Sequence, residues 1–271
     1  MLLMVDMFQL QKNREEGDFV RKIFLLEFKR GIGGTGFYIS IILLVIAGLM
    51  NTGEVLEYIN GIGLPEGEIR CFALFFQAIW SEALCYMIPV VTTLALSASY
   101  LEDMQSGMLK YILIRTKAKQ YLWSKVANCA LFGALTVFLA LSILLVGFMV
   151  VYPFNIAEIG YLKSQTVQYY TDLFGRAVVL ILNGSFYAMF GGMIAAFSNN
   201  KYMAYAAPFI FYYVVSTLFS AYLSDYPLLN PKEWLMMNTS SIFVVLVIVL
   251  ILNIIAFLAY FVVIERRWRY E

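Results

Sequence analysis

A chain of 271 residues that is 62% hydrophobic and only 14% charged has more apolar surface than a core of its size can hide, so lipid must be part of its solvent. Its net charge of +1 provides no field for recruiting nucleic acid. It contains no histidine, which removes HExxH metal centres, Ser-His-Asp hydrolysis and histidine proton switches together.

Residues 1–35 are polar enough to stand outside the bilayer core. Asp6 interrupts the opening apolar residues, and no long apolar stretch or small-residue cleavage site follows, so no signal peptide is expected. From Glu15 to Arg30 the spacing predicts an amphipathic helix lying in the membrane interface. Phe19, Ile23 and Leu26 fall at i, i+4 and i+7, with Val20 and Phe24 beside them, and Arg21, Lys22, Lys29 and Arg30 form its cationic side. The hexapeptide Gly31–Gly36, GIGGTG, matches G-x-G-x-x-G letter for letter. A dinucleotide site, however, needs a strand before those glycines and an amphipathic helix after them. Here an amphipathic helix precedes and a bilayer-length apolar run follows, so the hexapeptide reads as a hinge.

A spanning helix needs about 20 mostly apolar residues. Six runs qualify: Thr35–Met50, which is short, then Phe72–Ser99, Leu122–Val151, Phe174–Phe197, Tyr202–Leu223 and Ser241–Ile264. The expected fold is an all-α integral membrane protein forming one domain. Residues 1–34 are the lead-in, 35–264 the six-helix membrane part and 265–271 a tail. With the N-terminus inside, the inner segments hold 15 of the Lys and Arg residues and the outer ones 4, namely Arg70, Lys163, Arg176 and Lys232. That asymmetry predicts that both termini are cytoplasmic. In the last outer connection, Asn230-Pro231-Lys232-Glu233-Trp234 reads as a short helix with an N-cap and Pro at its first position.

Several membrane residues bear on mechanism. Gly184, Ala188, Gly192 and Ala196 repeat at i+4, with Gly191 and Ala195 beside them, a small-residue stripe that lets another helix approach closely. It serves either packing within the chain or a seam between subunits. Glu82 is the only acid well inside an apolar run, and it is either a structural residue near the interface or part of a substrate path. Pro89 and Pro208 should kink their helices, with Thr92, Thr93 and Ser97 at hand to satisfy freed backbone groups. Asn183 and Asn253 read as amides joining helices. Trp80, Tyr152, Tyr202, Tyr222 and Trp268 read as interfacial belts. Cys71, Cys85 and Cys129 form no CxxC and read as buried small hydrophobes.

Between the second and third runs lies Leu101–Lys125, LEDMQSGMLKYILIRTKAKQYLWSK. Two acids, Glu102 and Asp103, come first, then the breaker pair Ser106–Gly107, then Lys110, Arg115, Lys117, Lys119 and Lys125 among aliphatic and aromatic residues. Such a mixture suits a segment lying along the cytoplasmic face of a membrane. The series Glu102, Gly107, Leu109, Ile112–Leu113, Arg115, Tyr121 and Lys125 resembles the "E…G.L…L.R…Y…K" run of ABC-2-type ABC transporter permeases. The six-run layout resembles that family over nearly the whole chain.

The resemblance implies the permease subunit of an ATP-driven exporter in a bacterial plasma membrane. A second permease subunit, identical or different, would complete the path. A separate cytoplasmic ATP-binding subunit would hold ATP and Mg, since this chain has no G-x-x-x-x-G-K-[ST] run and no enzyme motif of its own. It further implies that Glu102, Asp103, Met104, Gln105, Ser106 and Gly107 form the coupling contact with that subunit. The helix bearing Arg21, Lys22, Lys29 and Arg30 would form a second contact. An ATP-independent transporter or channel, and a membrane assembly or sensor protein, stay open beside this reading.

Overall fold

A computed structural model describes residues 21–61, 71–109, 118–151, 167–237 and 241–270, and all regular structure among them is helical. The lead-in is α1 (Arg21–Gly33), bent by 57° from α2 (Thr35–Gly61). There follow α3 (Cys71–Ile79), α4 (Glu82–Val91), a 3-10 turn (Thr92–Leu94) and α5 (Ser99–Gln105). The remaining helices are α6 (Ala118–Val151), α7 (Val167–Ser198), α8 (Lys201–Tyr222), α9 (Pro231–Met236) and α10 (Ile242–Tyr270). Five segments are long and apolar enough to cross a membrane, and a sixth is obtained if the bent α1–α2 pair counts as one span. The chain is therefore a multi-pass membrane protein by length and composition.

The helices form where the apolar runs lie, but three boundaries differ from expectation. α2 continues past Met50 to Gly61, so the short first run becomes a helix of 27 residues, about 40 Å long. α6 and α7 each begin earlier than their apolar runs, and at 34 and 32 residues they exceed the roughly 30 Å hydrocarbon thickness.

The third difference is larger. The run Phe72–Ser99 is not one helix. It breaks after Ile79, where the Ser81 hydroxyl accepts a hydrogen bond from the Leu84 N–H at 3.5 Å and so caps α4. It loosens again past Pro89, which has no N–H to give to the preceding turn. The backbone then tightens into the 3-10 turn, where Thr92 and Thr93 donate to the carbonyls of Ile88 and Val90 at 2.8 and 2.6 Å. Ser40 of α2 donates to the Val91 carbonyl at 2.8 Å, and Ser97 to the Ala188 carbonyl of α7 at 2.9 Å. Hydroxyls thus bond carbonyls around the break and tie it to α2 and α7.

α7 lies at the centre, packed along α6 and α10 and against α8 and α4. Its small-residue stripe makes this possible. A Cβ on Gly184 would stand 2.6 Å from the Gly133 carbonyl oxygen of α6, and one on Gly192 would stand 2.7 Å from the Tyr260 ring of α10. Gly184, Ala188, Gly192 and Ala196 are all buried within the chain, so the seam they form is intramolecular. The outer faces of α2 and α10 expose Ile42, Ile46, Met50, Phe243, Ile254 and Leu258, a lipid-type surface.

Candidate functional site

The helix ends gather into two groups. One contains α1, α5, the start of α6, the end of α7, the start of α8 and the end of α10. The described cations concentrate there: Arg21, Lys22, Lys29, Arg30, Lys119, Lys125, Lys201, Arg266 and Arg267.

At the centre of this end stands Asp103. Lys125 of α6 approaches one of its carboxylate oxygens at 2.6 Å, and the Tyr121 hydroxyl donates to the same oxygen at 2.6 Å. Arg30 of α1 donates to the other oxygen and, through its second terminal nitrogen, to Glu102 at 2.9 Å. Lys125 also donates to Glu27 of α1 at 2.7 Å. The result is one chain of charges, Glu27–Lys125–Asp103–Arg30–Glu102, tying α1, α5 and α6 together. Asp103 is 2% and Lys125 1% exposed, so most of the network is dry and its hydrogen bonds are charge-assisted.

The expected coupling residues divide accordingly. Glu102, Gln105 and Ser106 are exposed, Met104 and Gly107 are half-buried, and Asp103 faces inward. Asp103 is turned away from the exposed edge, because successive helical residues point about 100° apart and Glu102 faces outward. Gly107 has φ +74, a left-handed conformation that glycine adopts without penalty and that ends this segment sharply. Lys110, Arg115 and Lys117 lie outside the described residues.

On α1, Arg21, Lys22 and Lys29 are exposed, while Arg30 turns to α5. The face of α1 against the bundle is Ile23, Glu27 and Gly31. Leu26 is 66% exposed, so the expected apolar stripe is rotated. The ion pair from Glu27 to Lys125 and the contact of Gly31 with the Phe132 ring set that rotation. At the bend, the Leu94 carbonyl lies against Gly36 so closely that a Cβ could not fit there. Those glycines thus permit close packing and a bend, in keeping with a hinge. The part of the expected helix before Arg21 lies outside the described residues.

The other end holds α3, the start of α4, the start of α7, the end of α8, and α9. Glu82 is exposed in the first turn of α4, where an acid complements the helix dipole. Two charged residues are buried here, Glu233 of α9 and Arg176 of α7; Arg176, counted above among the outer cations, is fully shielded. Arg176 donates to the Ile79 carbonyl at 3.3 Å and to the Cys85 sulfur at 3.2 Å, and lies 4.4 Å from the Trp80 ring centre. It therefore sits at the last carbonyl of α3, where a cation is favoured, and fills the gap between α3 and α4. Trp80, expected in an interfacial belt, is its stacking partner.

α9 forms as the sequence predicts, with the Asn230 side chain accepting from the Lys232 N–H at 3.0 Å and Pro231 at the first position. Asn183 of α7 donates to the Trp234 carbonyl at 2.9 Å, and Asn253 of α10 to the Leu182 carbonyl at 3.0 Å, so both amides join helices. Cys85 and Cys129 are buried free thiols. Among the described residues no cluster of Cys, Asp and Glu is placed to hold a metal ion.

No known family profile matches this chain, and no characterised protein is significantly similar to it. The charged end is a junction of three helices, α1, α5 and α6, joined by ion pairs.

Proposed function

We propose that the chain is the membrane-spanning permease subunit of an ATP-driven ABC-2-type transporter in a bacterial plasma membrane. In this reading it spans the membrane six times, with the α1–α2 pair supplying the first span and α1 lying in the interface. Both termini and the charged end face the cytoplasm, as the Lys and Arg asymmetry favours. A second permease copy completes the path for an amphipathic or hydrophobic cargo such as a peptide, drug or lipid.

The observation that carries the reading is the joining of α1 to α5 by Arg30 and Asp103 beneath an exposed edge of Glu102, Gln105 and Ser106. A partner that docks on that edge meets a unit rather than a loose loop. Displacing it moves α5, hence the 3-10 turn and α4, against α7. ATP and Mg belong to the docked subunit. Their free energy becomes useful here only because the docked partner favours one of two helix packings over the other. No bond chemistry is assigned to this chain.

The test is affinity purification of the full chain in mild detergent, with identification of whatever co-purifies. Recovery of an ATP-binding subunit supports the reading, and recovery of the chain with no ATPase overturns it. The second reading, an ATP-independent transporter, is favoured by one observation. A discontinuous span whose break is filled by a buried arginine is the kind of element such proteins use at their sites. Downhill solute movement by the chain alone in vesicles would decide for it.

A further inference from the structure

Between α4, α8 and α9 lies a cavity of about 410 Å³, lined by Tyr86, Tyr212, Ser216, Thr217, Ser220 and Lys232 among others. Two polar atoms of its wall are unsatisfied. The Tyr212 hydroxyl and Ser216 Oγ are buried and have no hydrogen-bond partner. Tyr212 packs edge-on to Tyr86 and, on its inner side, to Tyr187 at 6.3 Å between ring centres. The Tyr187 hydroxyl is likewise buried and unpaired. Behind these rings stands Arg176, within electrostatic reach of Tyr212, whose terminal Nη1 has no partner.

A buried polar group left unpaired costs about 1–3 kcal/mol, so the Tyr212 and Ser216 hydroxyls at the cavity wall mark a place where a partner belongs. The nature of that partner follows from the donors. Arg176 can only donate and keeps its charge, and among the described residues its neighbours are a carbonyl, a thiol and an indole ring, none of which carries a compensating charge. Water or a neutral polar group would pair the three hydroxyls but would not answer a fixed positive charge. A cation would be repelled. A group bearing several anionic oxygens answers the Tyr212 and Ser216 hydroxyls at the wall and the positive field of Arg176 behind them, and Lys232 at the rim adds a second positive charge. Glu82 is also within electrostatic reach of Tyr212, but it is exposed and screened by solvent.

We propose that this cavity binds a phosphate group, carried either by a lipid headgroup or by a free solute. Lys232 draws it in, Ser216 and Tyr212 take its oxygens, and the field of Arg176 sets the sign of the ligand. The inference stands apart from the ATP-driven reading, since it concerns the opposite end of the molecule and needs no partner subunit.

The test uses the full chain in phosphatidylcholine nanodiscs. One arm adds phosphatidylglycerol and counts retained lipid by native mass spectrometry. The other adds inorganic phosphate, with chloride as control, and follows the thermal midpoint by Trp fluorescence. Selective retention of phosphatidylglycerol identifies a lipid source, and a shift with inorganic phosphate identifies a solute source. In either case Lys232→Gln, and the double variant Tyr212→Phe with Ser216→Ala, should weaken binding at least tenfold. The double variant should melt no lower than the parent chain, because it removes unpaired hydroxyls. Arg176 is left in place because its removal would strip the α3–α4 break of its partner. The proposal is overturned if neither probe is preferred over its control, or if the variants bind as the parent chain does.

Discussion

Asp103 is held by a lysine and a phenol from α6 and by an arginine from α1, and its acidic neighbour Glu102 points to solvent. The two acids are alike in the sequence, and the resemblance to the permease family assigned them one role. Their separation is a matter of helical phase, which cannot be read until the partners of each face are known. Lys125 was legible as a loop cation but not as a buried one, because its partner Glu27 is 98 residues away. Removing one member of a buried network costs about 3–5 kcal/mol, whereas an exposed pair contributes about 0–1 kcal/mol. Asp103→Asn should therefore lower the thermal midpoint in detergent by the equivalent of about 3 kcal/mol, and Glu102→Gln should leave it within about 1 kcal/mol of the parent. Equal effects of the two changes would contradict the assignment of inward and outward roles.

Among the elements, the positions of the long apolar helices were legible because twenty apolar residues have few alternatives, and α9 was legible because its cap residues are local. The break in the second run was not. Apolar content is the same on both sides of it, and the decisive partner, Arg176, comes from a helix far along the chain. Ser81–Glu82, a capping residue followed by an acid, was the local signal for a new helix start. The glycine stripe was legible as a packing surface, but what it packs against depended on Gly133, an isolated glycine in the third run. Gly184→Ala should destabilise the fold by about 1–3 kcal/mol, because its Cβ meets a backbone carbonyl that cannot move aside. Gly147→Ala, on the same partner helix but with open space around it, should be neutral or stabilising by up to about 1 kcal/mol. Denaturation of the two variants side by side checks the contrast, and a neutral Gly184→Ala would show that α6 and α7 are not in close contact.

At the scale of the whole molecule, the sequence predicted an asymmetry of charge, and the fold gathers the described cations of the expected inner segments at one end of the bundle. The structure adds that this end is a junction of α1, α5 and α6, and that the other end encloses a buried arginine. Cysteines introduced at Ser106 and at Tyr222, both exposed and at opposite ends, should react with a membrane-impermeant maleimide from opposite sides of a sealed vesicle. The experiment is done in a Cys71→Ser background, where the native Cys85 and Cys129 are buried and should stay unlabelled. Labelling of both introduced sites from one side would rule out the six-span reading. In the proposed function, the exposed edge above Asp103 passes the work of a docked ATPase into the membrane. The measurement that tests it most directly is ATP turnover by the purified complex carrying Glu102→Ala together with Gln105→Ala. The account predicts a loss of docking or turnover of at least fivefold with an unchanged thermal midpoint. Turnover and docking equal to those of the parent complex would contradict it.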